Sequence, residues 1–372
     1  MNATSNNISY VEKNVFPIYL NDCILYGLFI FLGILSSLVG IGGGGLYIPL
    51  FMLLSNFSLK EIIPLVVISI LANSFIRMLI LLKKKHIYND QYSLIDYFIA
   101  SQIMCFDASG SYIGYYLNTI INDNILKWII FFLLIVVSLK TLIKSYKMCK
   151  IYYKNKNLNN EIIIDGISVS IPKNDEINLN EKVKKVSIFY TKILILTYQF
   201  IFNIFFILRY FFNNNLIIII CQSLYSFLSG IYVTYLNYKH NPSINLNMQL
   251  HSLFLISFAS FSIGILSTML GIGGGMLVAP LLIFLKIDSN IVMATNSMTT
   301  FFSALTSSMQ YIIVGNIKYD FMLLFILLSI ISSKTGLSYV KTINKKCSST
   351  WPLILLLGLV IFISSILIII SK

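Results

Sequence analysis

The chain has 372 residues, of which 57% are hydrophobic and only 11% charged. Globular domains carry about 25% charged residues, so this composition, with a mean hydropathy of +0.82, excludes an ordinary water-soluble protein and places the chain in a lipid bilayer. The formal charge of +13 comes from 27 Lys+Arg against 14 Asp+Glu, with arginine only at Arg77 and Arg209. Lysines collecting in cytoplasmic loops account for that excess, and no nucleic-acid partner is expected.

Residues 1–21 form a polar tail rich in Asn and Ser. A bilayer core needs about 20 apolar residues per helix, and such runs follow at 22–40, 61–82, 93–117, 125–147, 188–210, 215–236, 250–270, 290–314, 320–340 and 351–370. Two shorter runs, 44–57 and 275–286, suit either a tilted crossing or a re-entrant half-helix. Ten to twelve crossings are therefore expected. Residues 148–187 are a polar, Lys- and Asn-rich tract that reads as a mostly disordered linker. Within it, Glu161 to Pro172 places Asp-Gly between two β-prone runs, a hairpin signal.

Lysine placement predicts sidedness. Lys83, Lys84 and Lys85 end one span, and two spans later Lys140, Lys144, Lys147, Lys150, Lys154 and Lys156 lead into the linker, so both clusters share one side. The positive-inside rule makes that side cytoplasmic. It puts Lys60 and Lys318 opposite and the N-terminus outside or in a lumen.

Five scattered cysteines without a C-x-x-C pair and three dispersed histidines suggest no disulfide framework, no metal site and no cofactor. His-Glu-x-x-His and Gly-x-Ser-x-Gly are absent, and an enzyme is not expected.

An internal repeat organises the rest. Gly33 to Gly44 reads GILSSLVGIGGG and Gly264 to Gly275 reads GILSTMLGIGGG, with nine of twelve residues identical. The match continues at Leu46/Leu277, Pro49/Pro280 and Leu50/Leu281. A weaker echo pairs His86 to Asp90 with Asn316 to Asp320. Residues 22–147 and 250–370 are therefore duplicates, and by the lysine count they enter the membrane from opposite sides. The expected fold is an all-α polytopic membrane protein: two inverted repeats of about five helices each, joined by two extra spans at 188–236 and the cytoplasmic linker. In transporters such repeats place the substrate at their interface, between interrupted helices.

The interruptions here are Gly40 to Gly45 and Gly271 to Gly275. Glycine costs helix stability, but a bare backbone lets several N–H groups face one ligand, and the positive end of the following half-helix favours an anion. Gly42, Gly43, Gly44, Gly273, Gly274 and Gly275 are thus candidate anion ligands, the alternative being close helix packing through small residues. Gly40-x-Gly42-x-x-Gly45 also fits a dinucleotide fingerprint, but the strand that fingerprint requires is replaced by a membrane-length helix.

These paired clusters, each followed by a proline (Pro49, Pro280), together with Ala294-Thr295-Asn296-Ser297 and Gly315-Asn316-Ile317, resemble the sulfite exporter TauE/SafE family of membrane anion transporters. The resemblance covers both halves but not the linker or the spans at 188–236. It implies a small oxyanion substrate, such as sulfite, sulfate or an organosulfonate. It adds Thr295, Asn296 and Ser297 as candidate binding residues. The first-half counterpart reads Ile63-Pro64-Leu65-Val66, so an asymmetric site is expected. A membrane receptor or scaffold working through the linker is the alternative function.

Charges inside spans are functional suspects. Arg77 and Lys334 lie roughly 9 Å inside the cytoplasmic boundary at 1.5 Å per residue, where they either snorkel or steer anions. Asp107 lies near mid-depth, too far to snorkel, and is a candidate for coupling transport to protons. The span at 290–314 carries Thr295, Asn296, Ser297, Thr299, Thr300, Ser303, Thr306, Ser307, Ser308 and Gln310, a polar stripe suited to a permeation path or to interhelical hydrogen bonds. Asn73 lies at the corresponding level of the first half.

Overall fold

The structure is a computed structural model and describes residues 20–40, 42–55, 57–84, 93–157, 177–212, 216–240, 250–285, 287, 289–315, 318–346 and 351–370. Its elements are twelve helices. The first half holds α1 (Leu20–Val39), α2 (Gly44–Leu54), α3 (Leu59–Leu82), α4 (Tyr97–Ile120) and α5 (Asp123–Asn157). Next come α6 (Ile177–Phe211) and α7 (Leu216–His240). The second half holds α8 (Leu250–Leu270), α9 (Gly275–Phe284), α10 (Ser289–Val314), α11 (Tyr319–Lys346) and α12 (Trp351–Ile370).

Every long apolar run of the sequence is a helix, and the two short runs are helices of 11 and 10 residues. At 1.5 Å per residue each short helix covers roughly half of a hydrocarbon core about 30 Å thick. They are too short to cross alone. Among the described residues, seven helices are long and apolar enough to span a membrane. α4 and α10 fall outside that set because serine, threonine and glycine dilute their apolar residues. Both are largely buried, so their polar groups face protein rather than lipid.

The linker is more helical at its ends than expected. α5 runs on to Asn157 and α6 begins at Ile177, consistent with the good helix propensity of lysine. The hairpin signal at Glu161 to Pro172 lies outside the described residues.

Contacts between helices are exchanged between the halves. α1 packs on α11 and α8 on α4; α3 packs on both α10 and α11, and α10 on both α3 and α4. α5 packs on α12, while α6 and α7 lie on α4. Numbering the helices of each half from one to five, first-with-fourth contacts thus occur in both directions, and third-with-third and fifth-with-fifth contacts pair each helix with its own mate.

Glycines permit these approaches. A Cβ on Gly264 would run into the Asp107 carbonyl oxygen, one on Gly110 into that of Phe261 and one on Gly114 into that of Ile265, so α4 and α8 touch backbone to backbone. On the mating pair, a Cβ on Gly336 would lie 2.8 Å from the Ile34 carbonyl oxygen. Small residues used in this way are the usual means of close helix approach in membranes.

One end of the bundle is tied by polar contacts. Ser58 N–H donates to Glu61 Oε2 at 2.9 Å, closing a capping box at the start of α3. Glu61 also pairs with Lys318 at 3.1 Å, which enters α11. Lys60 Nζ donates to the Thr119 carbonyl at 3.3 Å. Lys60 and Lys318 therefore sit at the same end, where the starts of α3 and α11 meet the end of α4.

Candidate functional site

The repeated sequence produces a repeated backbone. Gly40 and Gly271 take φ values of 82° and 68°, and Gly42 and Gly273 take 87° and 76°. This left-handed region is costly for residues with a Cβ, which explains glycine at both matching pairs. The match ends at the caps: Gly43 has φ 83° and Gly274 has φ −53°. After the break each short helix starts in the same way, with Leu46 and Tyr47 N–H donating to the Gly43 carbonyl and Leu277 and Val278 N–H donating to that of Gly274. The first N–H groups of a helix have no acceptor within it. Those of Gly273, Gly274 and Gly275 make no hydrogen bond among the described residues.

The two loops meet. A Cβ on Gly44 would collide with the Ile272 carbonyl, so the first loop lies directly on the second. Asn296 clamps both, its Nδ2 donating to the Gly40 carbonyl at 2.7 Å and to the Gly275 carbonyl at 3.0 Å. Each loop is covered by the other half. Met293 and Thr300 of α10 lie over Gly40 and Gly42, while Ile63 and Ile70 of α3 lie over Gly271 and Gly273. Ile70 also approaches Gly44, so its side chain fills the gap between the loops in this conformation.

The surroundings of the two caps differ in charge. Gly43 faces Ser36 and Tyr47: a Cβ there would be 2.9 Å from Ser36 Oγ and from Tyr47 Cε2. Behind them Asn73 Nδ2 donates to Tyr47 Oη at 3.3 Å and to Ser36 Oγ at 3.4 Å, and Asn73 Oδ1 accepts from Ser37 Oγ at 3.0 Å. Ser333 Oγ of α11 donates to the Asn73 carbonyl at 3.0 Å. Arg77, one turn further along α3, is fully buried, and none of its three guanidinium nitrogens has a hydrogen-bond partner among the described residues. Gly274 instead faces Ser303 and a carboxylate: a Cβ there would be 2.7 Å from Ser303 Oγ and 3.4 Å from Asp107 Oδ1. Asp107 is 2% exposed, and that oxygen has no hydrogen-bond partner among the described residues.

The structure thus brings together Gly42, Gly43, Gly44, Gly273, Gly274, Gly275 and Asn296, with Asn73 behind one loop and Asp107 beside the other. Thr295 serves a different local role: its Oγ1 accepts from Asp96 N–H at 3.0 Å, and Asp96 in turn caps α4 by accepting from Phe98 and Ile99 N–H. Ser297 is buried and donates to the Met293 carbonyl at 2.7 Å. Lys334 is exposed on α11.

Much of the hydroxyl stripe on α10 is engaged within the protein. Thr299 and Thr300 donate to the Asn296 carbonyl, Ser307 pairs with Thr268 at 2.7 Å and Gln310 Nε2 donates to Ser111 Oγ at 3.0 Å. A cavity of about 500 Å³ lies elsewhere, at the end of α3, lined by Leu79, Ile80, Lys83 and Lys84. Sequence reasoning missed Ser36, Ser37, Tyr47, Ile70 and Ser333. Ser36 and Ser37 carried a signal, since the repeat matches them with Ser267 and Thr268.

Broken helices paired across a duplicated, polytopic bundle are the build of a membrane transporter. The sulfite exporter TauE/SafE family model matches residues 14–141 and 197–368, and the chain belongs to that family. Members of the family are transporters, and this chain is a transporter rather than an enzyme. It is similar to Sulfite exporter TauE/SafE family protein 1 of Arabidopsis thaliana, 26% identical over 90% of this chain and 80% of the relative. Family protein 3 of the same plant is 26% identical over 89% of this chain and 74% of the relative. Family protein 5 is 34% identical over a shorter stretch, 29% of this chain and 24% of the relative. No solved structure matches.

Proposed function

We propose that this protein carries a small oxyanion, namely sulfite, sulfate or an organosulfonate, across the membrane, holding it where the two glycine loops meet. The observation that carries the reading is the convergence of two glycine-capped half-helices on one clamp, Asn296, which bonds the Gly40 and Gly275 carbonyls. Two helix N-termini at one junction favour a negative charge there without a covalent or metal partner. The relatives named as sulfite exporters supply the substrate class. The halves work as inverted repeats, and the exchanged helix contacts provide the interface about which they rock. Ile70 must leave the gap for the anion to occupy it, which makes the present arrangement a closed one. The basic linker is cytoplasmic and the N-terminus lies on the other side.

Asp107 couples this movement to protons. A bound anion at the N–H groups around Gly274 would lie beside the Asp107 carboxylate, and like charges so close in a low-dielectric interior repel strongly. Anion entry at that cap therefore requires the neutral carboxyl group. Ser303 is the polar side chain facing it beside Gly274, while Arg209 of α6 stacks over Tyr112 and Phe206.

Sulfite flux in proteoliposomes tests the binding reading against a scaffold role. Gly43→Val and Gly274→Val are expected to abolish flux, and deletion of residues 158–176 to leave it intact. The reverse pattern would assign the work to the linker.

A further inference from the structure

The two caps are not equivalent, and their difference locates the anion more closely than the loops alone. Ile70 and Thr300 both lie against the loops, and seven residues further along their helices stand Arg77 and Ser307. These two stand at comparable distances beyond the loops on α3 and α10. Ser307 is satisfied: its hydroxyl pairs with Thr268 at 2.7 Å, the repeat mate of Ser37. Arg77 is not. Its guanidinium is fully buried with three unpartnered nitrogens among the described residues.

An uncompensated buried cation costs several kcal/mol even after relaxation, and no acidic side chain pairs with Arg77 among the described residues. Among the described residues Lys318 pairs with Glu61. Glu61 lies sixteen residues before Arg77 on α3, or about 24 Å at 1.5 Å per residue. Asp320 starts α11 at that same distant end. Arg77 instead lies within electrostatic reach of Tyr47, and one turn back Asn73 already organises Ser36, Ser37 and Tyr47 beneath Gly43. Tyr47 is matched in the second half by Val278, so both the cation and this hydroxyl belong to the first half alone.

Resting on the transport reading above, we infer that the anion is held on the first-half side of the loops, between the Gly43 cap, Tyr47, Asn73 and Arg77, with Arg77 as its counter-charge. The second cap faces the protein's own carboxylate, Asp107, and takes no substrate while that group is charged. The class of ligand is an oxyanion with acceptor oxygens to spare, because guanidinium N–H groups only donate and a planar fork suits paired oxygens.

The test uses the full chain in lipid nanodiscs, titrated with sodium sulfite at constant ionic strength, reading dissociation constants by calorimetry and unfolding midpoints in parallel. Arg77→Gln is expected to weaken sulfite binding by at least about tenfold while raising the midpoint without anion, because an unpaired buried charge has been removed. Arg77→Lys retains charge and falls between wild type and Arg77→Gln. Tyr47→Phe, which leaves the charge untouched, is expected to weaken binding several-fold and serves if Arg77→Gln fails to fold. Wild-type affinity in Arg77→Gln, or in Tyr47→Phe where it must serve, overturns the inference and leaves the transport reading standing. A wild-type chain that binds no sulfite overturns both.

Discussion

At the residue scale, Asn296 carries the most structure per atom. Its amide reaches one carbonyl from each half, Gly40 at 2.7 Å and Gly275 at 3.0 Å, so a single side chain fixes the spacing of the loops. Truncation removes a second donor from the Gly275 carbonyl of α9 and leaves the Gly40 carbonyl, outside any helix, without this one, at about 1 to 3 kcal/mol for a group left unsatisfied. Asn296→Ala is accordingly expected to lower unfolding free energy by about 2 kcal/mol or more in nanodisc denaturation, whereas Thr299→Val, which removes one donor to a helix carbonyl, should cost under about 1.5 kcal/mol. Equal costs for the two would remove the special role given to the clamp. The sequence marked Asn296 as a binding residue through its family resemblance. That it also ties loop to loop was invisible, because the partner Gly40 is 256 residues away.

At the element scale, the fold follows from a few rules that are readable in one dimension and one that is not. Run length placed all ten long helices, and the paired glycines located both breaks, because positive φ at Gly40/Gly271 and Gly42/Gly273 admits little else. Whether α2 and α9 cross or re-enter was left open, since twelve or so apolar residues suit two topologies. Contact between α4 and α8 was not legible: Gly110, Gly114 and Gly264 look like ordinary diluting residues until the facing backbone is known. That contact makes a sharp expectation. Gly264→Val drives a side chain into the Asp107 carbonyl, and overpacking of this sort costs about 1 to 3 kcal/mol. Gly27→Val, at a position with open space around it, should change the unfolding midpoint little. A tolerated Gly264→Val would show that α4 and α8 do not touch as described.

At the scale of the whole molecule, duplication supplies a symmetric frame and divergence supplies the chemistry. The frame is the exchanged set of helix contacts; the divergence places an arginine behind one cap and an aspartate beside the other. A transporter built this way is expected to move anion and proton together. With an acid-outside gradient across proteoliposomes, sulfite uptake by the wild type should accelerate, and Asp107→Asn should retain flux without the acceleration. Acceleration undiminished in Asp107→Asn would assign coupling to another group. The most direct trial of the central claim is to locate the anion: crystals of the protein soaked with selenite, an oxyanion whose heavy atom is visible by anomalous scattering. The account predicts a peak within hydrogen-bond reach of the glycine-loop N–H groups, on the side of Tyr47 and Arg77. A peak remote from both loops, in protein that still transports sulfite, would contradict it.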